Sequence, residues 1–348
     1  MKTRFIITTR QINSTGDFVA EVGPTQFLLV PSDDIDYTPK TTSKPSNVWR
    51  DLVVAAAKRP AKNTVTGMDG EVLIFVHGYN NSSAEILRRT DLLQTTLESE
   101  GWQGVVIAFD WPSDNSTLNY LEDRQDASAV AGRLVQEVLP LLVDAQAEKD
   151  VNNQPVCSIN VHLLGHSTGA FVIMEAFSFA EKIGKNFKSD YRIGQVGFIG
   201  ADISADSLDS ECQWASPMFK RVNRITNYSN GFDSVLAVSN AKRLGTAPRI
   251  GRVGITAKSH SKAVNVDTSE YFATKNPRQS QFIGTFCHSW HIGDQLWARD
   301  FAMTLDGRID RLIVPTRLAL PKLHLNPSPE NATRPMYEKL WELSSPAG

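Results

Sequence analysis

Hydrophobic and polar positions along the chain alternate between two patterns. Val72–Val76 and Val105–Phe109 are continuous apolar runs, and Ile159–Leu164 is nearly one. Such runs predict strands buried on both faces of a parallel sheet. Between them apolar residues recur at helical spacing. Ile86, Leu87, Thr90, Leu93 and Leu97 follow Ser82-Ser83-Ala84-Glu85, which has capping-box spacing, and Gly101 offers a stop. A second helix is expected over 121–139, with Ala127, Val130, Leu134 and Val138 on one face and Pro140 ending or kinking it. Ala170–Ala180 reads as a buried helix. Gly197–Ala201 and Val222–Tyr228 read as further strands, Ser280–Phe286 as the last strand, and Asp294–Leu305 as the last helix.

Strands alternating with amphipathic helices imply βαβ units around a mostly parallel sheet with helices on both faces. Arg4–Thr9 and Gln26–Val30 have β character and are expected to add antiparallel strands at one edge. Residues 36–48 read as a Pro-, Ser- and Thr-rich loop. The expected organisation is an N-terminal β segment with its loop (1–48) packed on a main domain (49–317), followed by a Pro- and Asn-rich peripheral tail (318–348).

Composition narrows the classes. With 36 basic and 38 acidic residues the net charge is −2, so nothing points to nucleic acid or an anionic membrane. Cys157, Cys212 and Cys287 form no CxxC pair, which argues against a disulfide framework or a zinc ribbon. No apolar run reaches spanning length, and the first ten residues lack the apolar core of a signal peptide, so no membrane insertion and a cytoplasmic location are expected. No P-loop occurs, and the glycines at 194, 197 and 200 have the wrong spacing for a dinucleotide fingerprint.

The candidate chemistry lies in Gly165-His166-Ser167-Thr168-Gly169. Chance gives roughly 0.1 G-x-S-x-G matches in a chain of this length and composition, so the motif alone is suggestive. Its position between a strand and a helix is the context a nucleophile elbow requires. Ser167 is therefore the candidate nucleophile. Two backbone N–H groups should bind the oxyanion: that of Thr168, and one from the loop after an earlier strand, His77-Gly78-Tyr79-Asn80, with Tyr79 favoured.

In such a fold the acid and the histidine follow the serine in that order. Of seven histidines, His288 and His291 stand after an apolar run late in the chain; His288 is preferred and His291 is the alternative. Asp233, after the strand Val222–Tyr228, is the preferred acid, with Asp202 second and a helix N-cap as the plain alternative for either. Trp111, Trp214, Met218, Phe219 and Trp290 are candidates for core or for an apolar acyl site, and 203–221 or 240–279 for a cap over it.

Taken together, Phe75–Asn80, Phe109–Ser113, Leu164–Gly169, Ala201–Ile203, Asn227–Leu236, Pro248–Gly254 and His288–Trp290 resemble the DUF900 branch of the α/β-hydrolases over roughly residues 70–305. The resemblance implies an α/β-hydrolase fold, with Ser167, Asp233 and His288 at the triad positions. It implies hydrolysis of a small-molecule acyl substrate, a carboxylic ester first, with no metal or organic cofactor. A thioesterase or lipase variant and a non-catalytic binding protein of the same fold are the alternatives. The first 50 residues and the tail fall outside it.

Overall fold

The computed structural model describes residues 3–113, 128–142, 159–183, 192–241, 247–310, 314–319 and 340–343. Among the described residues the ten strands are β1 (Arg4–Ile12), β2 (Phe18–Val30), β3 (Gly70–Val76), β4 (Val105–Asp110), β5 (Ile159–His166), β6 (Ile193–Ile199), β7 (Val222–Ser229), β8 (Ala263–Asp267), β9 (Arg317–Ala319) and β10 (Leu340–Leu343). They form one sheet in the order β2-β1-β4-β3-β5-β6-β7-β8-β10-β9. Pairings from β1 through β10 are parallel, and an antiparallel strand closes each end.

The main helices are α1 (Ser46–Ala57), α2 (Ser83–Ser99), α3 (128–142), α4 (Gly169–Ile183), α5 (Ser234–Ala241), α6 (Phe286–Ser289) and α7 (Gln295–Leu305). They cover both sheet faces, as the double burial of the strands demands. In β3, Val72, Ile74 and Val76 join one core with α1, α3 and α4, while Leu73 and Phe75 join a second with α2 and α7. The Ser82–Glu85 capping box starts α2, and Gly101, at φ 87°, follows its end. Among the described residues no helix is long and apolar enough to cross a membrane.

Three elements differ from expectation. Strand β1 is parallel to β4, with Thr8 opposite Asp110, so only β2 is antiparallel at that edge. Ser280–Phe286 is not a strand: Gly284 takes φ 95°, and Phe282 packs on Phe286 at 4.8 Å across a bend. The parallel strand preceding the histidine loop is instead β8. Of the two outcomes expected at Pro140, ending is excluded, since the helix runs on to residue 142; a π-turn over Leu134–Val138 shifts the bonding pattern just before it, with Leu139 N–H reaching Leu134 O. Residues 121–127 of that expected helix lie outside the described residues, as does Cys157.

Candidate active site

The elbow begins where β5 ends. Ser167 sits at φ 56°, a left-handed conformation costing a non-glycine residue about 1–2 kcal/mol. Its N–H donates to Ile199 O (3.1 Å), and its carbonyl accepts from Asp202 N–H (3.1 Å) and Ala170 N–H (3.2 Å). The strained turn is thereby stitched to the end of β6. Glycine is required on both sides. A Cβ at Gly165 would lie 2.9 Å from Ala170 Cα, and one at Gly169 would strike the Val76 carbonyl.

The loop after β3 closes on the serine. A Cβ at Gly78 would stand 2.7 Å from Ser167 Cβ, so bare backbone faces the serine. Asn81 Nδ2 donates to Gly78 O (2.9 Å) and Tyr79 O (3.0 Å), and His77 Nδ1 donates to Gly78 O (2.6 Å). In a planar trans peptide, a Gly78 carbonyl held on that side turns the Tyr79 N–H the opposite way. Thr168 follows Ser167, and its carbonyl accepts from Val172 N–H as the first turn of α4 forms. Its N–H belongs to the unladdered start of the helix.

His288 lies in α6 against the same strand ends. A Cβ at Gly200, itself at φ 51°, would come within 2.9 Å of His288 Cε1. The His166 and His288 rings stand 4.8 Å apart, and His166 Nε2–H donates to His288 O (3.2 Å). Burial, then the neighbouring His288 and Arg89, hold His166 well below the ordinary imidazole range. His288 Nδ1 is 2.7 Å from Asp233 Oδ2, and Asp233 is fully buried. The other carboxylate oxygen accepts from Leu236 N–H (3.0 Å), capping α5. With Nδ1–H donated to a carboxylate, Nε2 of His288 is left as the acceptor.

The alternatives sit elsewhere. Asp202 pairs with Arg249 (3.2 Å) and accepts from Ser239 Oγ (2.8 Å). His291 is fully buried, stacked on Trp290 at 4.2 Å, with neither ring nitrogen hydrogen-bonded. Burial, then His288, lowers its pKa well below 6.5. Trp111, Met218, Phe219 and Trp290 are buried core residues, while Trp214 donates to Glu175 (2.8 Å). A cavity of about 660 Å³ lies between α1 and α2, lined by Leu52, Ala56, Thr90, Gln94 and Val105, away from Ser167. Among the described residues no group of three or more His, Cys, Asp or Glu is placed to hold a metal.

Two supporting residues went unnoticed in the sequence. Asn230 Nδ2 donates to Cys287 O (2.9 Å), and its carbonyl accepts from Asp233 N–H, tying the acid loop to the histidine helix. Asn230 stands three residues before Asp233 in the sequence, but nothing local signals that link. Buried Arg89 donates to Ile283 O (2.8 Å) and approaches His166 Nδ1 (3.4 Å), joining α2 to the segment before His288; burial lowers its pKa to about 10.

A parallel sheet clothed by helices, with a strained Gly-His-Ser-Thr-Gly turn at its carboxyl edge, defines the α/β-hydrolase class. Within it the chain belongs to the DUF900 family, described as alpha/beta hydrolase of unknown function, which matches residues 55–283. No curated protein matches the chain. Among solved structures it is similar to an esterase of Pyrobaculum calidifontis, at 13% identity and TM-score 0.33, covering 75% of this chain and 90% of that one. It is also similar to phospholipase PlaB of Legionella pneumophila in complex with thio-NAD (10%, TM-score 0.28, 49% and 40%). A lipase-esterase related protein of Clostridium acetobutylicum is a third (12%, TM-score 0.21, 56% and 65%). The chain thus spans less than two thirds of the length of the last two.

Proposed function

We propose that the protein is a serine esterase acting on small carboxylic esters through Ser167, His288 and Asp233. The observation that carries this reading is the buried 2.7 Å His288–Asp233 hydrogen bond beside the strand ends that also hold the strained Ser167. Ser167 Oγ attacks the ester carbonyl carbon while His288 Nε2 takes its proton. Asp233 holds the imidazole in the required tautomer and stabilises its cation. The N–H groups of Thr168 and Tyr79 receive the oxyanion. The carbonyl–oxygen bond to the alcohol then breaks, and His288 returns the proton to the departing alkoxide. Water, deprotonated by His288, releases the acyl group and restores Ser167.

Exposed Phe232, Val235, Val238 and Val253 surround the acid loop and favour an apolar acyl or alcohol group on approach. A panel of p-nitrophenyl esters of rising chain length tests the reading. Turnover by wild type and none by a folded Ser167→Ala variant supports it; equal turnover by both removes it.

A further inference from the structure

The candidate oxyanion loop hangs from a buried polar chain whose far end lies outside the span matched by the family. Arg10, in β1, points its guanidinium at Asp110, the last residue of β4. Its Nε donates to both carboxylate oxygens (2.9 and 3.0 Å), and Thr8 Oγ1 donates to the same group (2.8 Å). Arg10 Nη2 also donates to the backbone carbonyl of Asn81 (2.9 Å). The Asn81 side chain in turn holds the carbonyls of Gly78 and Tyr79.

Residue His77 closes the chain from the other side. Trp111 N–H donates to His77 Nε2 (3.1 Å), so the neutral ring carries its proton on Nδ1, the nitrogen that donates to Gly78 O. Trp111 Nε1 donates to His77 O (2.9 Å), and the two rings stack at 5.6 Å. Thr8, Arg10, His77, Asn81, Asp110 and Trp111 are all buried. Burial keeps His77 below the ordinary imidazole range. For Asp110 burial works upward, but the Arg10 cation, with the Thr8 hydroxyl, prevails and holds it below the ordinary carboxylate range. A buried ion pair is seldom the best way to gain stability, because desolvation offsets its attraction. This one holds a particular peptide in place.

We propose that Arg10, clamped by Asp110, is a positioning residue that fixes the Gly78–Tyr79 peptide through Asn81, so that the Tyr79 N–H is set to receive the oxyanion. The proposal rests on the esterase reading above. It makes strand β1, which is outside residues 55–283, a working part of the site.

Two variants separate positioning from stability. Arg10→Lys keeps a cation beside Asp110 but loses the planar fork that reaches the Asn81 carbonyl as well. The double variant Arg10→Met/Asp110→Leu removes both charges and leaves neither unpaired. For each, the melting temperature, kcat and KM for p-nitrophenyl butyrate, and Ki for an alkyl trifluoromethyl ketone (whose hemiketal with Ser167 carries an oxyanion) are measured. In variants that melt cooperatively, kcat is expected to fall on the order of ten- to a hundredfold with KM little changed, and Ki to rise in step with the loss of kcat/KM. Wild-type kcat and Ki in either folded variant would overturn the proposal while leaving the esterase reading intact. So would a lower melting temperature with unchanged Ki. A wild-type protein inert toward both ester and ketone removes the esterase reading, and the proposal with it.

Discussion

His288 Nδ1 and Asp233 Oδ2 stand 2.7 Å apart although 55 residues separate them in the chain. The carboxylate divides its work: one oxygen caps α5 through Leu236 N–H, and the other faces the imidazole. The cap fixes the carboxylate plane, and the plane fixes the ring. N-cap and triad acid, rival readings of Asp233 in the sequence, are compatible roles for one side chain.

Exchanging that oxygen for an amide should therefore be costly. Asp233→Asn can keep the cap through Oδ1 but presents an N–H to His288 and favours the wrong tautomer; kcat is expected to fall about 10⁴-fold with the fold intact. Asp202→Asn should leave kcat within about threefold and instead lower stability by roughly 1–3 kcal/mol, because it weakens the contact to Arg249. Ester turnover and urea unfolding on both variants check this.

The two late histidines should separate just as clearly. His288→Ala is expected to abolish turnover, whereas His291→Phe should keep it, since His291 stacks in the core with both nitrogens unbonded. The pH dependence of stability gives an independent reading. Folded His291 resists protonation, while in the unfolded chain it takes a proton below about pH 6.5. Wild-type stability therefore falls as pH drops through that value, by up to about 1.4 kcal/mol per pH unit for one such group. His291→Phe should reduce that slope. The reduction is partial, because His166 is shifted the same way. Urea unfolding at about pH 7 and about pH 5 measures the difference.

Gly200 governs the histidine from below. Gly200→Ala puts a Cβ within 2.9 Å of His288 Cε1 and 3.0 Å of Nδ1, at a backbone φ of 51°. The ring must shift, and kcat is expected to fall at least tenfold. The backbone strain should cost about 1–2 kcal/mol of stability, seen as a lower melting temperature.

How far the sequence led depended on the range of the forces involved. Strands β3 and β4 were legible because burial on both faces leaves an unbroken apolar run. Helix α2 was legible because Ser82 and Glu85 cap it locally. Strand β8 was missed because Asn265 interrupts it; its side chain is bonded to Asn227 and Ser229 in the adjacent strand, a long-range match that no local pattern signals. The Phe282-Ile283-Gly284-Thr285-Phe286 run misled in the opposite sense, its aromatic rings packing across a bend. At the candidate site the serine turn declared itself by its glycines. The loops bearing Asp233 and His288 could be placed in order, but their approach through Asn230, and the hold of Arg10 on Asn81, are products of the sheet order.

Labelling with a fluorophosphonate, read by intact-mass and peptide-level mass spectrometry, tests the central claim most directly. A single adduct is expected, on Ser167, absent in Ser167→Ala and formed far more slowly in His288→Ala. A folded wild-type protein that takes no label, or carries it on a different residue, would contradict it.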